Sequence, residues 1–124
     1  MTQCLTMASR FRSKFEKRIA HALESAGAAF EYESIKIPFV KNHHYTPDFV
    51  LSNGVILEAK GRFIASDRTK HLLIREQNPE FDIRFVFQRA KNRINPRSKT
   101  TYAGWCDRHG FLWCEGKLPK QWLL

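Results

Sequence analysis

The stretch from Tyr45 to Gly61 reads YTPDFVLSNGVILEAKG, and it decides the fold. Two apolar runs, Phe49 to Leu51 and Val55 to Leu57, flank Ser-Asn-Gly, and this pattern is typical of a β-hairpin. Because side chains alternate along a strand, Glu58 and Lys60 share one face of the second strand. The sequence therefore predicts a hairpin whose second strand ends in charged side chains.

The turn of this hairpin decides whether Asp48 joins the same face. A two-residue Asn-Gly loop would turn Asp48 away from Glu58. A three-residue loop from Ser52 to Gly54, with its glycine in the left-handed conformation, would pair Asp48 with Glu58. Both loops are common. We adopt the three-residue loop as a hypothesis, because only this loop brings both carboxylates beside Lys60.

Two carboxylates held close together raise each other's pKa unless a cation lies between them. Oxygen ligands suit Mg²⁺, which keeps several waters and needs only one or two carboxylates plus a substrate phosphate. Such an ion activates water and stabilises a phosphate under attack, and Lys60 could orient that water or offset developing charge. The cluster of Asp48, Glu58 and Lys60 therefore indicates metal-dependent phosphodiester hydrolysis.

A purely structural interpretation of these residues stays open. Asp48 follows Pro47 and could be a turn residue, while Glu58 and Lys60 could form a solvated strand face. One feature favours the functional interpretation: the two charged residues follow a fully apolar run and precede Gly61, an unusual place for a solvated face.

The order of these residues resembles a known nuclease motif. Pro47-Asp48 followed by Glu58-Ala59-Lys60 looks like PD-(D/E)xK, and the wider chain is similar to the phage endonuclease I family of Holliday-junction-resolving enzymes. The resemblance runs from about Phe11 to Trp122. It is carried by Phe11-Arg12-Ser13 with Glu16, Phe30-Glu31-Tyr32-Glu33, Tyr45 to Phe49, Glu58 to Gly61 and Lys70 to Gln77.

The resemblance implies an α/β fold, with a restriction-endonuclease-like mixed sheet flanked by helices, in an intertwined, domain-swapped homodimer. The segment from Phe30 to His44 would bridge the subunits. Asp48 and Glu58 would bind Mg²⁺, for which Mn²⁺ substitutes, and Glu16 would complete the metal site of the partner chain. Lys60 would be the fourth catalytic residue.

The same resemblance implies a structure-selective endodeoxyribonuclease. It would resolve four-way and other branched DNA and leave 5′-phosphate products. Two alternatives are a PD-(D/E)xK nuclease that acts on linear duplex DNA in restriction, transposition or repair, and a basic DNA-binding module without catalysis.

Length and charge are consistent with a small DNA-binding enzyme. The chain has 124 residues and a net charge of +9, which favours a polyanionic partner. We expect a flexible arm over residues 1–10 and a single nuclease domain over residues 11–124. No membrane span or signal peptide is indicated. Three cysteines without a C-x-x-C pair favour a reducing compartment and argue against structural zinc. Together with the resemblance to a phage family, this leads us to expect a phage or prophage protein in the host cytoplasm, or a protein of a related intracellular setting.

Glu16 has two interpretations. Ser13 to Glu16 matches a capping box at the start of a helix from Lys14 to Ala26, in which Glu16 would cap the Ser13 amide. The resemblance instead makes Glu16 a metal ligand.

The other elements follow from hydrophobic periodicity. Before the hairpin, we predict a strand with a bend or bulge over Phe30 to Val40 and a polar connector over Lys41 to His44. After it, we predict a helix capped by Ser66 or Asp67 that ends near Gln77, and then a strand over Asp82 to Gln88 in parallel with the hairpin's second strand. The chain would end with a helix from Tyr102 that Gly110 ends, and a last strand near Trp113.

Basic residues are abundant outside the motif. They could be solvated surface residues, or they could contact DNA phosphates, which requires only position and charge. The candidates for phosphate contact are Arg12, Arg68, Lys70, Arg75, Arg89, Lys91, Arg93, Arg97 and Lys99, of which the last five lie on a segment between Arg89 and Thr101 that has almost no apolar residues.

Overall fold

The computed structural model describes residues 11–39 and 43–124, so the arm predicted for residues 1–10 lies outside the described residues. The described residues form α1 (Lys14–Ser25), β1 (Phe30–Tyr32), β2 (Ile37–Phe39), β3 (His43–Tyr45), β4 (Phe49–Leu51), β5 (Val55–Lys60), α2 (Ala65–Gln77), β6 (Asp82–Phe87), α3 (Tyr102–His109), β7 (Trp113–Glu115) and a 3₁₀-helix (Lys120–Leu123). Among these helices, none is long and apolar enough to cross a membrane.

Five strands form one mixed sheet in the order β1-β4-β5-β6-β7. β1, β4 and β5 pair antiparallel, whereas β5, β6 and β7 pair in parallel. The α2 helix connects the parallel strands β5 and β6, as a βαβ crossover requires. The predicted α/β fold with a mixed sheet flanked by helices is therefore confirmed.

The hairpin of β4 and β5 has the predicted three-residue loop. Phe49 lies opposite Leu57, and Gly54 has a φ of +93°, a left-handed conformation that glycine adopts without steric cost. Asn53 stabilises the turn, since its side-chain oxygen accepts a hydrogen bond from the Val55 N–H at 3.0 Å. This register puts Asp48 opposite Glu58, one position beyond the last strand pair.

The sheet is covered on both faces. On one face, α1 and the 3₁₀-helix bury Ile19, Leu23 and Trp122 against Phe49, Leu57 and Val86. On the other face, α3 and the segment before α2 bury an aromatic cluster that includes Phe63, Phe85, Phe87, Tyr102 and Trp105. Trp105 and Trp122 are each 7% exposed, so both are core residues.

The single strand predicted over Phe30 to Val40 is wrong. The chain forms β1 in the large sheet, and then β2, which pairs with β3 in a separate two-stranded sheet. Glu33 lies between them with a φ of +49°, and this bend explains the switch in apolar parity. The polar connector predicted over Lys41 to His44 is also wrong in its described part, because His43 and His44 belong to β3. Residues 40–42 lie outside the described residues.

The predicted start of α2 is wrong by two residues or more. Ile64 is the N-cap residue, and it makes no side-chain capping bond. Ser66 and Asp67 therefore lie inside the first turn rather than before it. The other predicted helix ends are confirmed within a residue or two: Ser13 accepts from the Glu16 N–H at the start of α1, and Gly110, with a φ of +78°, ends α3.

Candidate active site

The two hairpin carboxylates lie together at the open end of the β4–β5 hairpin, beyond the last strand pair. The Asp48 N–H donates to Glu58 Oε2 at 3.1 Å, and the Ala59 N–H donates to Asp48 Oδ2 at 2.9 Å. Glu58 is only 4% exposed. The predicted clustering of Asp48 and Glu58 is therefore confirmed, and the structural interpretation of Glu58 as a solvated residue is wrong.

Glu16 reaches the same place from the first turn of α1. It is 8% exposed, and Glu16 Oε1 accepts hydrogen bonds from the Tyr32 hydroxyl at 2.6 Å and from the Arg12 N–H at 3.0 Å. The Arg12 amide thus takes the place that the capping box assigns to the Ser13 amide. Glu16 is also close enough to Asp48 to raise the pKa of that carboxyl group. In the described chain, three carboxyl groups therefore converge.

This convergence shifts the protonation of the buried acids. The pKa of Asp48 is raised to about 9, first by burial and then by the charges of Glu58 and Glu16, against the opposing hydrogen bond from Ala59. Burial also raises the pKa of Glu58, against the opposing effects of Lys60 and the Tyr45 hydroxyl. The carboxyl groups resist ionising together because nothing in the described chain fully compensates their charge.

Lys60 is the nearest compensating charge. Its ammonium nitrogen lies 3.7 Å from Glu58 Oε1 and 3.5 Å from Asp67 Oδ1, and its side chain is 17% exposed. Asp67 was predicted only as a possible helix cap, so the sequence analysis missed its contact with Lys60. A signal was present, since Asp67 follows the motif by a few residues in the first turn of the next helix.

A buried wall lies behind Glu58. The Tyr45 hydroxyl donates to Glu58 Oε2 at 2.5 Å, and the Lys70 ammonium lies 5.4 Å from the centre of the Tyr45 ring. His71 is fully buried, with Nε2 at 3.8 Å from Glu58 Oε1. Burial lowers the pKa of His71 well below its ordinary value, so the imidazole is neutral at pH 7.

Neither ring nitrogen of His71 has a hydrogen-bond partner within the described residues. A buried polar atom without a partner costs about 1–3 kcal/mol. The sequence analysis missed both Tyr45 and His71. Each stands in a stretch that carries the family resemblance, but no spacing pattern connects residues so far apart in sequence to Glu58.

The donor set fits a hard divalent cation with open coordination positions. Over residues 11–39 and 43–124, no group of three or more His, Cys, Asp or Glu side chains is arranged so that it could hold a metal ion. Mg²⁺ does not require such a group, because it retains water and combines one or two carboxylates with a substrate phosphate. Asp48 and Glu58 supply those carboxylates.

The basic segment of residues 89–101 begins at the same edge of the sheet. Lys60 lies opposite Phe87, and the next N–H, of Gln88, donates to the Lys60 carbonyl at 3.1 Å. The segment is folded, with a bridge between Arg93 and Thr101. Its five basic side chains are exposed: Arg89, Lys91, Arg93, Arg97 and Lys99.

Three other predicted DNA contacts have partners inside the protein. Arg68 donates to the Phe63 carbonyl at 2.6 Å. Arg75 donates to the His109 carbonyl and lies 4.2 Å above the centre of the Phe111 ring, at the end of α3. Arg12 forms an ion pair with Glu33 at 3.1 Å, although its side chain is 75% exposed. Phosphate contact by these arginines stays a prediction, and Arg75 has an evident structural role at the helix terminus.

Comparison with known proteins identifies the relatives of this chain. A sequence profile of the phage endonuclease I family matches residues 1–124. Endonuclease I of Escherichia phage T7 is 46% identical over 116 residues, covering 91% of this chain and 78% of that protein. Endodeoxyribonuclease 1 of Enterobacteria phage T3 is 45% identical over 117 residues, covering 92% of this chain and 77% of that protein.

The raised pKa of Asp48 predicts a stabilising substitution. In wild-type protein without metal, the folded state keeps this proton from about pH 4 to about pH 9 while the unfolded state releases it. Rising pH therefore lowers the free energy of unfolding across this window. Asp48→Asn removes the ionisable group but can still accept from the Ala59 N–H. We therefore expect Asp48→Asn to have a larger free energy of unfolding than the wild type. The difference between the two proteins should be at least about 1 kcal/mol larger at pH 8 than at pH 5, measured by urea denaturation in EDTA.

Glu31→Gln is the matched control, because Glu31 is an exposed carboxylate on β1. We expect no such pH-dependent gain in that variant. An Asp48→Asn protein with wild-type stability at both pH values would show that the folded protein does not hold Asp48 in its protonated form.

Proposed function

The chain belongs to the phage endonuclease I family, and from this premise we propose that it is a structure-selective endodeoxyribonuclease. It resolves four-way and other branched DNA by Mg²⁺-dependent phosphodiester hydrolysis. The observation that carries the proposal is the convergence of Asp48 and Glu58 beside the Lys60 ammonium at the open end of the hairpin. We further propose that it acts in the host cytoplasm as a phage or prophage product.

Asp48 and Glu58 would hold the cation, with Glu16 assisting, and Mn²⁺ would substitute for Mg²⁺. When bound, the ion would supply Lewis-acid stabilisation of the phosphate and lower the pKa of water. The burial and crowding that raise the pKa of Asp48 support this assignment, because a positive charge among the carboxylates would favour their ionised form.

Lys60 would act on the substrate directly. Its ammonium group is held between Glu58 and Asp67, and this fixes its direction without burying it completely. From there it would orient the attacking water or stabilise charge on a phosphate oxygen. As in the family, attack would break the bond to the 3′ oxygen and leave a 5′-phosphate.

The basic segment of residues 89–101 would grip the DNA backbone. Its exposed basic side chains follow the strand that pairs with β5, so phosphates bound there would lie near the carboxylates. Lys70, beside Tyr45, would contact a phosphate closer to the cleavage site. Phosphate contacts carry little base information, so the shape of the branch rather than its sequence would select the substrate.

We propose a homodimer with composite active sites. A four-way junction has approximate two-fold symmetry, and a two-fold dimer presents two equivalent centres to it. The unit of α1 and β1 joins the rest of the chain through the bend at Glu33. Exchange of that unit between subunits would keep the same local contacts of Glu16 with Asp48 while taking the two residues from different chains.

The proposed specificity predicts a difference between two substrates. In Mg²⁺, the protein is expected to cleave a four-way junction much faster than the linear duplexes of its arms at matched salt, and EDTA should abolish cleavage. Gel analysis of end-labelled strands measures both rates. Equal rates on the two substrates would indicate a nuclease for linear duplex DNA. Metal-independent binding without cleavage would indicate a binding module.

The role of Lys60 predicts a separation of binding from catalysis. Lys60→Ala should bind the junction with nearly wild-type affinity in EDTA and should cleave at least about a hundredfold more slowly in Mg²⁺. Arg108→Ala is the control, since Arg108 is an exposed cation in the last turn of α3, and it should cleave normally. Full activity of Lys60→Ala would remove this residue from the mechanism.

Exchange of α1 predicts complementation between two inactive variants. Glu16→Gln and Asp48→Asn chains carrying different tags would be co-expressed, and mixed dimers isolated with both tags. If the sites are composite, a mixed dimer contains one intact site and one doubly defective site, so it should nick one strand of the junction. A mixed dimer as inactive as either parent would show that each chain supplies its own Glu16.

A further inference from the structure

Hydrogen bonding within the described residues gives the buried imidazole of His71 no evident role. It lies on α2 with no exposed surface, between the rings of Tyr45 and Phe85, whose centres are 5.1 Å and 4.9 Å from its own. Both its nitrogens lack hydrogen-bond partners within the described residues. An apolar side chain would suit such a pocket better, since a buried polar atom without a partner destabilises the fold.

The surroundings of Glu58 suggest what His71 does. Glu58 Oε2 already accepts from the Tyr45 hydroxyl and the Asp48 N–H. Glu58 Oε1 has two potential donors, Lys60 at 3.7 Å and His71 Nε2 at 3.8 Å. Both distances are too long for a hydrogen bond. A shift of less than about 1 Å would bring the imidazole N–H within hydrogen-bond range of this oxygen.

We propose that His71 is a positioning residue for Glu58, whose Nε2–H supports the Oε1 oxygen when the carboxylate binds a divalent cation. The inference rests on the proposed metal-dependent function. Tyr45 holds one oxygen and His71 holds the other, so that the carboxylate keeps one orientation. Lys60 is then left to act on the substrate instead of serving as the main support of Glu58.

The test compares His71→Leu with His71→Gln. Leucine fills a similar volume without polar atoms, whereas glutamine restores a side-chain donor. Mn²⁺ binding would be measured by electron paramagnetic resonance without DNA, and thermal unfolding would be measured in EDTA. We expect His71→Leu to weaken Mn²⁺ binding about tenfold, as loss of a hydrogen bond to a metal ligand commonly does, with a melting temperature equal to or above that of the wild type. His71→Gln should bind Mn²⁺ within about threefold of wild type.

Ile74→Leu is the matched control, because Ile74 is a fully buried residue one turn further along α2, and it should leave Mn²⁺ affinity unchanged. Wild-type affinity in His71→Leu would overturn the inference, as would equal weakening in the leucine and glutamine variants. Failure of the wild-type protein itself to bind Mn²⁺ would overturn the proposed metal site and this inference together. A wild-type protein that binds Mn²⁺ beside an unaffected His71→Leu would overturn the inference alone.

Discussion

The burial of carboxyl groups at the open end of the β4–β5 hairpin, reinforced at Asp48 by the charges of Glu58 and Glu16, is the constraint on which the structure depends. Glu58 accepts a hydrogen bond from the Asp48 N–H, Asp48 accepts one from the Ala59 N–H, and Glu16 approaches from α1. Such a cluster opposes folding in the absence of a cation. The compensating stability comes from apolar packing on both faces of the sheet. The candidate active site thus lowers the stability of the fold, as is common at catalytic centres.

One backbone position controls this cluster. Because side chains in a strand alternate with a period of two, a shift of one residue in the hairpin register would move Asp48 to the opposite face. The loop of Ser52 to Gly54 prevents this shift, since Gly54 occupies a left-handed conformation that most residues avoid. Asn53 further fixes the loop by donating to the Trp122 carbonyl at 2.9 Å. The turn therefore determines the relative position of the carboxylates, although it lies at the far end of β4.

The features that depend on local chemistry were predicted correctly from the sequence. The predictions failed for features that depend on contacts between residues distant in sequence. The helix α1 and the hairpin carry their own capping and turn signals, and both were predicted correctly. The division of Phe30 to Val40 into β1 and β2 depends on two different partners, β4 and β3, and no local pattern identifies them. The same reason hides Tyr45 and His71, which reach Glu58 only through the tertiary fold. Charge alone likewise did not indicate that Arg75 packs against the end of α3, where it donates to the His109 carbonyl.

The position of the site follows from the change of strand direction at β5. β5 pairs antiparallel with β4 on one side and parallel with β6 on the other. In a parallel pair both carboxyl ends lie at one edge, where chains leave the sheet and binding sites commonly form. Lys60 ends β5 at that edge, α2 begins shortly after it, and the basic segment of residues 89–101 follows β6. The N-terminus of α2 adds a favourable potential for anions. The antiparallel partner contributes Asp48 to the same edge because β4 begins where β5 ends. A purely parallel sheet would place the start of a neighbouring strand at the opposite edge, so the mixed topology is what allows adjacent strands to supply both carboxylates beside a cationic surface.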